Sequence, residues 1–188
     1  MKYVVDGKMC TMQDLKDTSL EKRLQRMEDR NAICEALYHY AQSTDKCDPD
    51  GQASCFAEQG VLKWGDNFKD WYVGRETIRA HLKALMGAAL TSSHYVTNVQ
   101  ILFEDDDTAL VHAYFYAWQH FKDYPKKSEC HTLGRYEVQM VRESDGEWRF
   151  QSFYVVTAAQ QGGYRGCEQF DRPWPPRPIL ADGSYRTY

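Results

Sequence analysis

From residue 92 onward the chain reads as four long strand-like runs, 94–104, 108–121, 129–143 and 147–159, separated only by "EDDD", "KDYPKK" and "ESDGE". The first and last of these connections are short and turn-rich, the kind that joins antiparallel neighbours. Helical patterns occupy the chain before them. Helices first and an antiparallel meander second is an α+β order, and it excludes the alternating strand–helix order of a nucleotide-binding parallel sheet. The expected architecture is a cone-shaped, curved antiparallel sheet closed by N-terminal helices, with one open mouth.

The helices are legible individually. Ser19 can cap a helix through "LEKRLQRMEDRNAICEALYHYAQSTD", in which Leu20, Leu24, Met27, Cys34, Leu37, Tyr38 and Ala41 recur at spacings of three, four and seven. A short helix follows in "DPDGQASCFAEQG", with Pro49 near its first turn and Gly60 after its end. "VLKWGD" and "DWYVG" read as short strand pieces around a turn. "RETIRAHLKALMGAAL" reads as another amphipathic helix, with Ile78, Leu82 and Leu85 on one face.

Alternation along a strand tells which residues share a face. In 108–121 the odd positions, from Ala109 to Phe121, are mostly small and apolar and suit packing. The even positions include Tyr114, Tyr116, Trp118 and His120, aromatic rings and polar tips that suit a planar ligand. The even row is therefore expected to line the pocket, with Trp64 completing the aromatic wall.

Asp45 closes the first long helix. At 100° per residue, Cys34, Tyr38 and Asp45 lie within about 20° of one line, so the carboxylate is expected on the face aimed at the core. A carboxylate buried without a partner costs several kcal/mol, and a histidine is the natural partner. An Asp bonded to one ring nitrogen fixes the tautomer and supports the imidazolium formed when the other nitrogen takes a proton. Within "SSHYVTN" alone, His94 reads as a polar residue at a strand entrance.

Several function classes are disfavoured. The net charge of −4 and scattered basic residues argue against nucleic acid. No stretch approaches the length of a membrane span, and the first 17 residues lack the apolar core of a signal peptide, so a cytoplasmic protein is expected. The six cysteines show no CxxC pair, which favours reduced thiols. There is no HExxH, phosphate loop, dinucleotide glycine pattern or G-x-S-x-G elbow. No metal and no cofactor are expected. His120 and His131 bracket a turn and are expected at the edge, and His39 and His81 toward solvent.

The ordered series "DRNAICEALYHYAQSTDKCDPDGQASCFAEQGVLKW", "YVGRETIRAHL", "SHYVTNVQI", "DTALVHAYFYAW" and "GRYEVQMVRESDGEWRF" resembles the SnoaL-like branch of the nuclear transport factor 2-like superfamily, over roughly residues 19–159. The resemblance implies that superfamily's α+β barrel. It also implies its machinery, an Asp ending the first helix and a His entering the first long strand, here Asp45 and His94. Tyr40 matches a tyrosine of the bile-acid dehydratase branch. Trp118 and Glu137 replace a histidine and an asparagine of the scytalone dehydratase branch, which argues against that branch's substrate. Arg135 matches an arginine that pairs with an anionic intermediate in some relatives.

The resemblance implies a cofactor-independent lyase acting on a small hydroxylated aromatic or polycyclic molecule, by dehydration or by elimination such as formaldehyde loss from an aromatic dimer. His94, Asp45 and Tyr40 would carry the chemistry, and Tyr116, Trp118, Arg135, Trp64, Tyr114 and Glu137 would bind substrate. An isomerase or cyclase is the alternative enzyme, and a non-catalytic ligand-binding or oligomer-assembly module the alternative of another class. The resemblance also implies a homo-oligomer through the outer sheet face, a trimer ahead of a dimer. Residues 1–18 read as an N-terminal extension, 19–161 as the catalytic domain and 162–188 as a proline-interrupted tail, a lid or interface arm.

Overall fold

The computed structural model describes residues 19–64, 71–86, 89–121 and 129–162. The N-terminal extension, the "KDYPKK" connection and the tail beyond Gly162 lie outside the described residues. Helix α1 spans Leu20–Asp45, α2 Pro49–Ser54 and α3 Arg75–Met86. The strands are β1 Phe56–Trp64, β2 Trp71–Val73, β3 Ala89–Phe103, β4 Thr108–Phe121, β5 Glu129–Arg142 and β6 Trp148–Gly162. This is the α+β architecture the sequence predicts.

The sheet is mixed rather than antiparallel, and its edges do not meet. Its order is β2-β1-β6-β5-β4-β3. The last four strands form the expected meander. Strand β1, from the helical half of the chain, instead runs parallel to β6, with Leu62 opposite Phe153 and Trp64 opposite Val155. Gly60 lies inside β1 rather than after α2, because the register shifts between Phe56 and Val61 and a Cβ there would crowd the Phe150 and Ala57 carbonyls. A second shift, between Thr97 and Gln100, bends β3 and holds Asn98 at φ 54°.

Ser19 caps α1 by accepting the Lys22 N–H, as the sequence predicts. The buried stripe of that helix differs from the expected one. Asp29, Ile33, Leu37, Tyr40, Ala41 and Ser43 are buried, whereas Leu20, Leu24, Met27 and Tyr38 are exposed. The competing apolar series was longer, but the stripe through Ile33 and Leu37 is the one that meets the sheet's core. Asp29 is carried in with it because Arg142 Nη2 (2.6 Å), Trp148 Nε1 (3.2 Å) and Gln25 Nε2 (3.1 Å) all donate to its Oδ1.

The core lies between α1 and one face of the sheet. Its floor is Ala109, Val111, Ala113, Phe115 and Ala117 of β4 with Tyr136, Val138 and Met140 of β5. Phe56, Phe150, Phe153 and Tyr40 form an aromatic cluster over it, with ring centroids 4.5–6.0 Å apart. This inner face is where α1 delivers its C-terminal residues.

Candidate functional site

Asp45 is the last residue of α1, at the edge of the buried stripe on the side facing β3. It is not in line with buried neighbours at 34 and 38, since Tyr38 is exposed. From that edge the carboxylate meets the entrance of β3. His94 Nδ1 lies 2.7 Å from Asp45 Oδ1, the His94 backbone N–H donates to Oδ2 at 2.9 Å, and Ser92 Oγ donates to Oδ1 at 3.0 Å. Both oxygens are occupied and both contacts from His94 fix one ring orientation. The His94 side chain is 10% exposed and that of Asp45 27%.

The electrostatics follow from these contacts. Burial works to raise the Asp45 carboxyl, but the hydrogen bonds from the His94 ring and backbone, the His94 charge and the Ser92 hydroxyl outweigh it, so the carboxyl sits below its ordinary value. An ionised Asp45 keeps the proton on Nδ1 and leaves Nε2 as the basic nitrogen.

Register decides what shares a face with this pair. His94 lies opposite Ala117, and Ala117 opposite Thr132, so all three point to the inner face. Ser92, Val96, Phe115, Gly134 and Tyr136 follow on the same side. Trp64 is also on it, opposite Val155, with its ring 5.9 Å from that of His81. His81 stacks on Tyr72 at 3.6 Å, so it is a packed ring and not the solvent-facing residue expected.

The even row of β4 points the other way. Tyr116 lies opposite Tyr95 and Leu133, and Tyr114 opposite Arg135, all on the outer face. Tyr114, Tyr116 and Trp118 therefore cannot wall the inner face with His94. Tyr116 instead bonds His131 Nδ1 at 2.6 Å, and Trp118 lies opposite His131. Arg135 and Glu137 form a 2.6 Å ion pair with each other on that same outer face, so neither reaches toward the pair at Asp45. The small odd positions go inward because the aromatic cluster from α1, β1 and β6 fills the space above them.

Tyr40 is on the inner side but deeply buried, its ring 6.2 Å from that of Tyr136. Burial raises its phenol strongly, the Cys55 thiol adds to this, and a hydrogen bond with Gln52 offsets a little of it. Arg135 and Glu137 are the site residues expected from the sequence, and Tyr136 between them is not. The register makes Tyr136 the inward residue of the three, and odd-in alternation on β4 would have pointed to it. Among the described residues no group of three or more His, Cys, Asp and Glu side chains could hold a metal ion, and no helix is long and apolar enough to cross a membrane.

The curved, open mixed sheet packed under its helices is the cone fold of the nuclear transport factor 2-like superfamily. The chain belongs to the SnoaL-like domain family, whose model matches residues 25–154. No curated protein matches by sequence. Similar solved structures include a protein from Novosphingobium aromaticivorans assigned as a scytalone dehydratase, with TM-score 0.67 and 22% identity over 74% of this chain and 91% of that one. Another protein from the same organism, assigned as an aromatic ring hydroxylase, has TM-score 0.64 and 25% identity over 73% and 94%. A hexachlorocyclohexane dehydrochlorinase from Novosphingobium barchaimii has TM-score 0.66 and 17% identity over 80% and 99%.

Proposed function

We propose that the protein is a lyase that removes a proton from carbon in a small hydroxylated aromatic or polycyclic substrate and expels the adjacent oxygen as water. The observation that carries this reading is the 2.7 Å contact between His94 Nδ1 and Asp45 Oδ1 on the inner face. His94 Nε2 takes the proton from the carbon next to a carbonyl, the electrons move into an enolate, and Asp45 stabilises the imidazolium. The enolate re-forms its carbonyl, the carbon–oxygen bond of the β-hydroxyl breaks, and the proton held by His94 returns to the departing oxygen to give water. Of the three similar structures named, the one assigned as a scytalone dehydratase and the dehydrochlorinase favour elimination as the reaction type, and the one assigned as a hydroxylase does not bear on it.

General acid–base groups of this kind contribute about 10²–10⁴-fold, and an apolar floor that excludes water strengthens their electrostatics. None of these steps calls on a metal or a nucleotide. The test is turnover of aromatic-fused cyclic β-hydroxyketones, followed by the ultraviolet absorbance of the conjugated product, with and without a chelator. Activity that survives chelation and is lost in His94→Ala supports the reading. Full turnover by His94→Ala removes it.

The outer face is the proposed surface for homo-oligomerisation, with a trimer favoured over a dimer. Tyr95, Tyr114 and Leu133 are 58%, 45% and 49% exposed on three adjacent strands, a contiguous apolar patch. Light scattering of the wild type and of Leu133→Lys reads the assembly directly. A monomeric wild type rules it out.

A further inference from the structure

Tyr136 puts a phenol on the same inner face as His94. It lies on β5, two strands from His94 and two inward positions deeper than the His94–Ala117–Thr132 row. At about 3.3 Å per residue and 4.8 Å per strand, the two Cα atoms are roughly 16 Å apart along a flat sheet, a gap that the two inward side chains narrow.

The phenol is held rather than merely buried. Its ring stacks on Phe115 with centroids 4.5 Å apart and planes 8° from parallel. Phe115 can lie there because Gly134 carries no side chain: a Cβ at 134 would collide with the Phe115 ring and the Val156 carbonyl. Phe153 and Tyr40 flank Tyr136 at 4.7 Å and 6.2 Å respectively. The residue is 3% exposed. Burial first, then the Tyr40 phenol and the Asp45 charge, push its ionisation well above the ordinary range, so it remains an O–H donor.

We propose that the Tyr136 hydroxyl is the donor that binds the oxyanion of the substrate, facing the carbon from which His94 removes the proton. The inference rests on the lyase reading for the identity of that oxyanion, an enolate, but its own test needs no turnover. Tyr136 keeps its proton throughout: its O–H bonds the carbonyl oxygen and the bond strengthens as negative charge develops there. Gly134 and Phe115 act through Tyr136 as positioning residues.

The experiment compares binding of 4-nitrophenolate, an anion of the same shape class, with binding of its neutral relative 4-nitrotoluene, in the wild type, Tyr136→Phe and the outer-face variant Tyr95→Phe. The replacement of Tyr136 removes one oxygen from a stacked ring, and thermal unfolding checks that the fold is retained. The expected result is a wild-type preference for the anion that falls at least about tenfold in Tyr136→Phe, with nitrotoluene affinity unchanged and the preference intact in Tyr95→Phe. A merely structural role would weaken both ligands together. Equal loss for both ligands, no loss, an equal loss of preference in Tyr95→Phe, or a wild type that does not prefer the anion overturns the proposal. If the preference behaves as expected while no β-hydroxyketone turns over, the donor stands and the elimination reading falls. If ketones turn over but the preference survives in Tyr136→Phe, the reverse holds.

Discussion

Replacing Asp45 by Asn changes one atom and should invert the His94 tautomer. In the wild type the two carboxylate oxygens meet two N–H groups of His94 and the Ser92 hydroxyl. An amide offers one oxygen and one NH2. If the oxygen stays on the His94 backbone N–H, the NH2 faces Nδ1, which must then accept, and the ring proton moves to Nε2. The base is thereby blocked at the nitrogen that faces the substrate. A hydrogen bond to a charged group contributes about 1.5–3 kcal/mol, and Asp45 is a quarter exposed, so the stability loss should be about 1–2 kcal/mol. Turnover should fall by about 10²–10⁴-fold, or roughly 3–5 kcal/mol in the barrier.

The assay is 15N-detected NMR of labelled histidine beside steady-state turnover. The wild type should show the proton on Nδ1 of His94 and Asp45→Asn on Nε2. A variant that keeps the Nδ1 proton and turns over within about threefold of the wild type would refute the reasoning. The pH dependence of stability gives a second reading. Folding lowers the Asp45 carboxyl, so its contribution is fully present above the unfolded value of about 3.9 and is lost as pH falls through the lower native value. Urea titrations should therefore show the gap between wild type and variant narrowing below about pH 4.

Three further substitutions separate the site from its scaffold. Asp29→Ala leaves Arg142 and Trp148 without their shared acceptor at the far end of α1, and urea unfolding should register a loss of about 3–5 kcal/mol. Gly134→Ala drives a methyl into the Phe115 ring and the Val156 carbonyl, and the same measurement should show about 1–3 kcal/mol lost. Tyr116→Phe breaks the bond to His131 Nδ1 on the outer face and should leave turnover within about twofold, which kinetics on the same ketones will check.

Local signals carried the helix cap at Ser19 and the carboxylate at the end of α1, because each depends on a few neighbouring residues, whereas "SSHYVTN" alone reads as a strand entrance and His94 joined Asp45 only through the need of that carboxylate for a partner and the family resemblance. Which face of β4 points inward did not follow from those signals. Alternation groups Tyr114, Tyr116 and Trp118 on one side, but rings with polar tips suit a pocket wall and an exposed sheet face equally well. The choice is made by Phe56, Phe150, Phe153 and Tyr40, which arrive from three other elements and demand small residues beneath them. The same non-locality hides the partner of β1: its parallel pairing with β6 joins segments some 90 residues apart and leaves no mark in either. Tyr136 follows the same logic, since only the register with Ala113 turns it inward.

The most direct test of proton removal by His94 dispenses with the leaving group altogether. A benzo-fused cyclic ketone without a β-hydroxyl, incubated in D2O, should exchange its α-hydrogens on the wild-type protein, and NMR reads the exchange. His94→Ala should slow this by at least about 100-fold with the fold intact. Exchange by His94→Ala at the wild-type rate would contradict the account at its centre.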